Sequence, residues 1–204
     1  MDELAGSPSN FRQNEPEQLT LIDAENEPDL FGFDSAIRSE CGVVCGIDEA
    51  GRGPLAGDVF AAAVIFDEGV FVEGINDSKK LTEKKREALF DEIISKARAY
   101  CIASASVEEI ERLNILQADF LAMERAYSGL DVKAGIVLVD GNQLPALDAQ
   151  MRYVIKGDAK SASIAAASIL AKVSRDRYMK QMAEKYPQYG FEKHKGYGTK
   201  AHYA

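Results

Sequence analysis

The 204-residue sequence is poor in residues that staple or interrupt a fold: three cysteines, six prolines and two histidines. Cys41, Cys45 and Cys101 are odd in number and form no CxxC pair, which fits reduced thiols read as small buried hydrophobes. His194 and His202, both read as exposed, are too few for a zinc site or a catalytic triad. No apolar run approaches the roughly 18 residues that span a bilayer. The N-terminus is acidic and polar, unlike a secretory signal or a basic transit peptide. The expectation is a cytoplasmic, monomeric protein with no membrane partner.

What is present is ordinary for a globular chain: 46% hydrophobic and 28% charged residues. Such a length suggests one domain with an appendage and buries roughly 70% of its unfolded surface. The net charge of -9 argues at first against a polyanionic partner. Its distribution argues otherwise. Residues 1–40 hold ten acidic and two basic side chains, leaving the other 164 at a net of -1. From Lys172 to the end, eight basic residues face three acidic ones. A near-neutral body with a basic end can bind nucleic acid.

Residues 1–40 carry half the prolines and no sustained periodicity, so they read as an acidic, disordered tail. Two apolar islands interrupt it, Leu19–Ile22 and Leu30–Phe33. The globular domain is expected over 41–204. Strands are expected at 43–48, 57–66, 100–106, 135–140 and 152–155, with a weaker one at 70–72. Helices are expected at 82–98, after a Ser106–Glu109 capping box, at 115–128 ending on Gly129, and at 161–185. This order predicts an α/β protein: a mixed central β-sheet flanked by helices.

Acids end the clearest strands. Asp48 and Glu49 close the first, Asp140 closes GIVLVD, and Asp158 sits in a turn before the long helix. Ligands of open α/β sheets gather at such carboxyl ends. Converging carboxylates repel, and hard divalent cations relieve that repulsion. An oxygen-only set favours Mg²⁺ or Mn²⁺, and two ions about 4 Å apart can drive phosphodiester hydrolysis. Neighbouring residues on a strand face opposite ways, so Asp48 and Glu49 can share a metal cluster only if the strand breaks there, and the Gly51/Gly53/Pro54 punctuation is expected to supply that break. The plain alternative is that each acid is a cap or turn residue.

Four further segments suit a sugar–phosphate ligand. Gly51-Arg52-Gly53 combines close backbone approach with a forked phosphate donor. Asn76, Lys79 and Lys80 precede a helix. Lys172 and Arg175 share a face of the long helix, where Asp176 could instead pair with Lys172 and Lys180. Tyr197 stands among Lys and Gly in HKGYGTK and could stack on a sugar. Each also reads as a solvated turn, cap or terminus.

Taken together, GIDEAGRGPLAG, NDSKKL, VDGNQLP, KGDAKSASIAAASILAKVSRDRYM and HKGYGT resemble bacterial ribonuclease HII over about residues 43–203. The resemblance implies a ribonuclease H-like fold. It implies metal-dependent cleavage of RNA–DNA hybrids and of single ribonucleotides in duplex DNA, leaving 3′-hydroxyl and 5′-phosphate ends. Asp48, Glu49, Asp140 and Asp158 are similar to the family's four metal-binding acids. Gly51, Arg52, Gly53 and Tyr197 are similar to its 2′-hydroxyl sensor. Ribonuclease HIII usually carries Lys and Glu where Arg52 and Asp158 stand, which favours HII. Family members usually continue past a motif like GYGTKAH into a further helical stretch expected near the substrate, so the C-terminal segment reads as short and its effect on affinity and turnover stays open. Gln18–Ile22 (QLTLI) resembles the short motif by which bacterial repair proteins bind the sliding clamp. The competing readings are another two-metal DNA nuclease, such as a resolvase, and a hybrid-binding module without turnover.

Overall fold

A computed structural model describes residues 29–200. Five strands, β1 (Val44–Ala50), β2 (Val59–Ile65), β3 (Ala99–Ala105), β4 (Ile136–Asp140) and β5 (Met151–Val154), form one sheet in the order β3-β2-β1-β4-β5. The first three pair antiparallel, and β1-β4-β5 run parallel. The sheet is therefore mixed, as expected. The helices are α1 (Leu30–Cys41), α2 (Glu83–Lys96), α3 (Val107–Leu113), α4 (Ile115–Ser128), α5 (Ala162–Lys185) and α6 (Phe191–His194). Among the described residues, no helix is long and apolar enough to cross a membrane.

Strand β2 (VFAAAVI) lacks polar alternation because both its faces are covered. Ala62 and Val64 pack with α5, while Ala61, Ala63 and Ile65 pack with Ala118, Ala122 and Met123 of α4. Helix α5 lies unusually close to the sheet. Its first ten residues, Ala162 to Ala171, are all buried, and five are alanine. At Gly46 of β1 a β-carbon would land on the Ser163–Ile164 backbone, so this approach requires glycine. Ser161 caps α5 by accepting the Ile164 N–H at 3.2 Å. The Ser106–Glu109 capping box also forms, opening α3.

Two expectations about organisation change. Among the described residues, folded structure already starts at Leu30 rather than near Cys41, because α1 occupies roughly the last quarter of the expected tail. Leu30 and Ile37 are buried, and Asp34 Oδ2 accepts the Ser163 N–H at 2.8 Å. That bond satisfies a donor at the start of α5. Arg38 donates to the Phe66 carbonyl at 2.7 Å. Residues 70–72 form no strand; Val72 is instead a loop residue buried beside α2. Cys45 is buried as expected, but Cys41 and Cys101 are only partly covered.

If α1 belongs to the fold, Ile37→Ala costs about 2–4 kcal/mol in urea unfolding, as for other buried aliphatic truncations. An unchanged midpoint would return residues 30–41 to the tail.

Candidate active site

β1 and β4 run parallel, with Ile47 opposite Val139. The next residue on each strand is an acid, so Asp48 and Asp140 stand as neighbours just past the last β1–β4 pair. Ile47 and Val139 pack on the α4 side, and alternation turns Asp48 and Asp140 toward α5. The turn carrying Asp158 immediately precedes α5. It is tied to the end of β4, where Asp140 Oδ1 accepts the Gly157 N–H at 2.6 Å.

This packing takes carboxylates out of water beside one another. Burial pushes Asp48 well above the usual carboxylate range, reinforced by repulsion from Glu49 and Asp140. Burial, then Asp140 and Asp77, pushes Asp158 up to about 6. Glu49 is raised by burial and by Asp140, against the pull of Arg52. Asp140 is thus the common neighbour of the other three. Lys79 faces the same cluster. Burial works against its ammonium, but Asp158, Asp48, Asp77 and Asp140 outweigh that and raise its pKa.

Strand β1 does not break between Asp48 and Glu49. Glu49 pairs with Ala61 and Ala50 with Phe60, and the backbone turns only at Gly51, with φ at +122°. The β1–β4 ladder ends at Ile47, so no further β4 pairing flanks Glu49. Asp140 is consequently felt by both acids although they alternate.

On the α4 side stands an acid that the sequence reading did not single out. Asp119 is 0% exposed, and neither carboxylate oxygen has a hydrogen-bond partner. Burial and Glu49 push it up to about 8, against Arg52. Its Oδ2 lies 3.5 Å from Arg52 Nε, while Arg52 Nη1 lies 3.8 Å from Glu49 Oε1. The signal was available: α4 otherwise presents Ala118, Ala122 and Met123 on its buried stripe.

The expected ligand-contacting residues divide. Tyr197 stands beside Gly53, where a β-carbon would sit 3.8 Å from its ring. Lys172 Nζ lies 5.8 Å from that ring's centroid. Lys172 also pairs with Asp176 at 2.6 Å, so the intrahelical alternative is realised as well. Lys180 pairs with Glu83 rather than with Asp176, whose second partner is Arg86. Asn76 Oδ1 accepts the Asp77 N–H, a turn role. Arg175 is not on an open face: it is 1% exposed. His194 is buried rather than exposed, with Nε2 2.8 Å from the Tyr189 carbonyl. Gln18–Ile22 and His202 lie outside the described residues.

Among the described residues, no three His, Cys, Asp or Glu side chains form a ready-made metal cage. The donor chemistry nevertheless fits a hard divalent cation. Asp48, Glu49, Asp140 and Asp158 offer oxygen only, and three of them are raised by burial and mutual repulsion.

The ribonuclease HII family model matches residues 45–204. A ribonuclease HII of Delftia acidovorans is 63% identical over 163 residues, 80% of this chain and 69% of that protein. The ribonuclease H2 of Pyrococcus horikoshii OT3 superposes with a TM-score of 0.66 at 30% identity, covering 78% of this chain and 82% of that one. A PCNA:RNase HII complex from Archaeoglobus fulgidus gives 0.59 at 29% identity, covering 77% and 82%.

The raised carboxyls set a pH dependence. Asp119 and Asp158 keep protons in the folded state that the unfolded chain releases near its ordinary carboxylate pKa. Their stabilising contribution is therefore present at low pH and lost as pH rises through their folded values. Without divalent cations, the melting temperature falls between about pH 6 and about pH 8.5, and Asp119→Asn flattens that slope. A melting temperature that rises across this window would contradict the electrostatic picture.

Proposed function

The chain belongs to the ribonuclease HII family, and we propose that it cuts the phosphodiester on the 5′ side of ribonucleotides, including single ones embedded in duplex DNA. As a ribonuclease HII it is an endonuclease that hydrolyses RNA in RNA–DNA hybrids. The finer substrate reading rests on one observation: the Gly51–Gly53 turn and Tyr197 adjoin each other at the end of the strand that carries Asp48 and Glu49. A DNA-only nuclease has no need of a 2′-hydroxyl sensor beside its acids. The products carry 3′-hydroxyl and 5′-phosphate ends. The role is removal of misincorporated ribonucleotides and processing of RNA primers, which places the protein in the cytoplasm.

In this reading Asp48, Glu49, Asp140 and Asp158 hold Mg²⁺ or Mn²⁺. Bound there, the cations supply a nucleophilic water at neutral pH and neutralise charge on the leaving oxygen. The protein's own residues do the positioning. Gly157 holds Asp140 through its N–H, fixing one carboxylate oxygen. Lys79 places a positive charge against the cluster, where a scissile phosphate would need it. The glycine backbone at Gly51 and Gly53 lets a ribose approach closely. The 2′-hydroxyl is the group that separates RNA from DNA at that position. Arg52, though paired with Asp119 and Glu49, keeps 43% of its side chain exposed, so its guanidinium can also face phosphate. Lys172, Tyr197 and Asn76 complete the sugar–phosphate surface.

Asp140→Asn lowers cleavage of a duplex containing one ribonucleotide by at least about a hundredfold in either Mg²⁺ or Mn²⁺. An all-DNA duplex stays intact with the wild-type chain. Wild-type turnover in Asp140→Asn, or cutting of all-DNA junctions, would overturn the assignment. Binding to the ribonucleotide duplex with no cleavage in either metal would favour a binding module instead.

The PCNA complex of the Archaeoglobus relative supports a clamp partner for this chain too, through Gln18–Ile22. A Gln followed by apolar anchors suits a hydrophobic groove. A peptide of residues 14–26 binds the bacterial clamp with a Kd of about 1–100 μM, measured by fluorescence polarisation. No binding at high micromolar concentration removes the clamp from the account.

A further inference from the structure

Among the described residues, Arg175 of α5 is the largest fully buried side chain, and at 1% exposure it does not itself present to nucleic acid. Its guanidinium instead donates to three backbone carbonyls from two separate parts of the chain. Nη2 donates to Ala56 at 2.9 Å and Nε to Asp58 at 3.2 Å, both in the segment leading from the Gly51–Gly53 turn into β2. Nη1 donates to Lys195 at 3.0 Å, two residues before Tyr197.

Three more contacts converge on the same point. Gly51 lies directly on the guanidinium, since a β-carbon there would sit 2.7 Å from Arg175 Nε. The Tyr197 ring centroid is 5.9 Å from Arg175 Cζ. The two chain segments also bond each other, Leu55 N–H to the Gly196 carbonyl at 2.8 Å. At Gly196 a β-carbon would collide with the Ala56 carbonyl, so the segments touch at the closest approach glycine allows. Burying a guanidinium is costly unless its donors are satisfied. Here they are satisfied by carbonyls of both segments, against which Met179 of the same helix also packs. Arg is suited to this because its planar fork holds several acceptors in fixed directions, which a Lys ammonium cannot.

We propose that Arg175 is the positioning residue of ribonucleotide recognition, a buried clamp that sets the gap between the Gly51–Gly53 turn and Tyr197. The inference rests on the functional reading above and adds to it the part that sets its selectivity. Asp48, Glu49, Asp140 and Asp158 are not among the clamp's hydrogen-bond partners. Loosening it therefore loosens substrate capture more than the chemical step.

The test is steady-state cleavage of a single-ribonucleotide duplex by the full chain and its Arg175→Lys, Gly196→Ala, Tyr197→Ala and Arg175→Lys/Tyr197→Ala variants, with folding checked by circular dichroism. Arg175→Lys raises KM by about tenfold while kcat changes by less than about threefold. The double variant is no more than about twofold worse in kcat/KM than Tyr197→Ala alone, because both changes disable one device. Gly196→Ala pushes the same segments apart without touching Arg175, so it shows the same KM increase and carries the test if Arg175→Lys does not fold. A folded Arg175→Lys with wild-type KM overturns the clamp, as do losses that multiply in the double variant. So does a wild-type KM in Gly196→Ala. A wild-type chain that leaves the ribonucleotide intact overturns both readings at once, whereas the other results overturn only this one.

Discussion

Everything in the catalytic half of this molecule depends on how closely α5 lies against the β1–β4 edge of the sheet. That contact needs glycine at position 46 and alanine along the first turns of the helix. Its consequence is electrostatic. The parallel strands deliver Asp48 and Asp140 side by side, and the turn leading into α5 delivers Asp158 against them. The helix then excludes the water that would screen their repulsion. A fold that forces desolvated carboxylates together spends stability to hold a site ready for positive charge.

The same helix carries the second device. One turn beyond Ser168, near Asp48, stands Lys172, and beyond it Arg175 and Asp176. Arg175 gathers the Gly51–Gly53 segment and the segment before Tyr197, while Asp176 binds Lys172 and Arg86. Arg86 in turn holds the carbonyls of Ser78 and Leu81, on either side of Lys79 and Lys80. In the proposed reading, chemistry at one end of α5 and recognition farther along it are thus referred to one rigid element.

The sheet and most helices were legible because their signals are local. β2 and β4 are short runs of Val, Ile, Ala and Leu bounded by polar residues, and α4 stops at Gly129 as its sequence indicates. That Asp48 and Asp140 come together was legible because both close runs that read as strands. Helix α1 was not, since its acids resemble those of the preceding segment and its two buried anchors, Leu30 and Ile37, are seven residues apart. Its place is fixed by a long-range bond, Asp34 to Ser163, which no local pattern announces. Arg175 was misread for a related reason. Helical spacing puts it near Lys172, but only tertiary packing reveals that three carbonyls wait for it. Asp119 carried a readable signal, a lone carboxylate in an apolar stripe, and its pairing with Arg52 emerged only from the fold.

The central claim is that Asp48, Glu49, Asp140 and Asp158 form a divalent-cation site in which burial and mutual repulsion raise Asp48, Glu49 and Asp158, so that a binding cation lowers them and releases protons. Calorimetric titration of the full chain with Mn²⁺ at about pH 6.5, in buffers of different ionisation enthalpy, measures this directly. The account predicts a binding enthalpy that depends on buffer, reporting proton release, and its loss in Asp48→Asn. Binding with no proton release, or binding unchanged in Asp48→Asn, would contradict it.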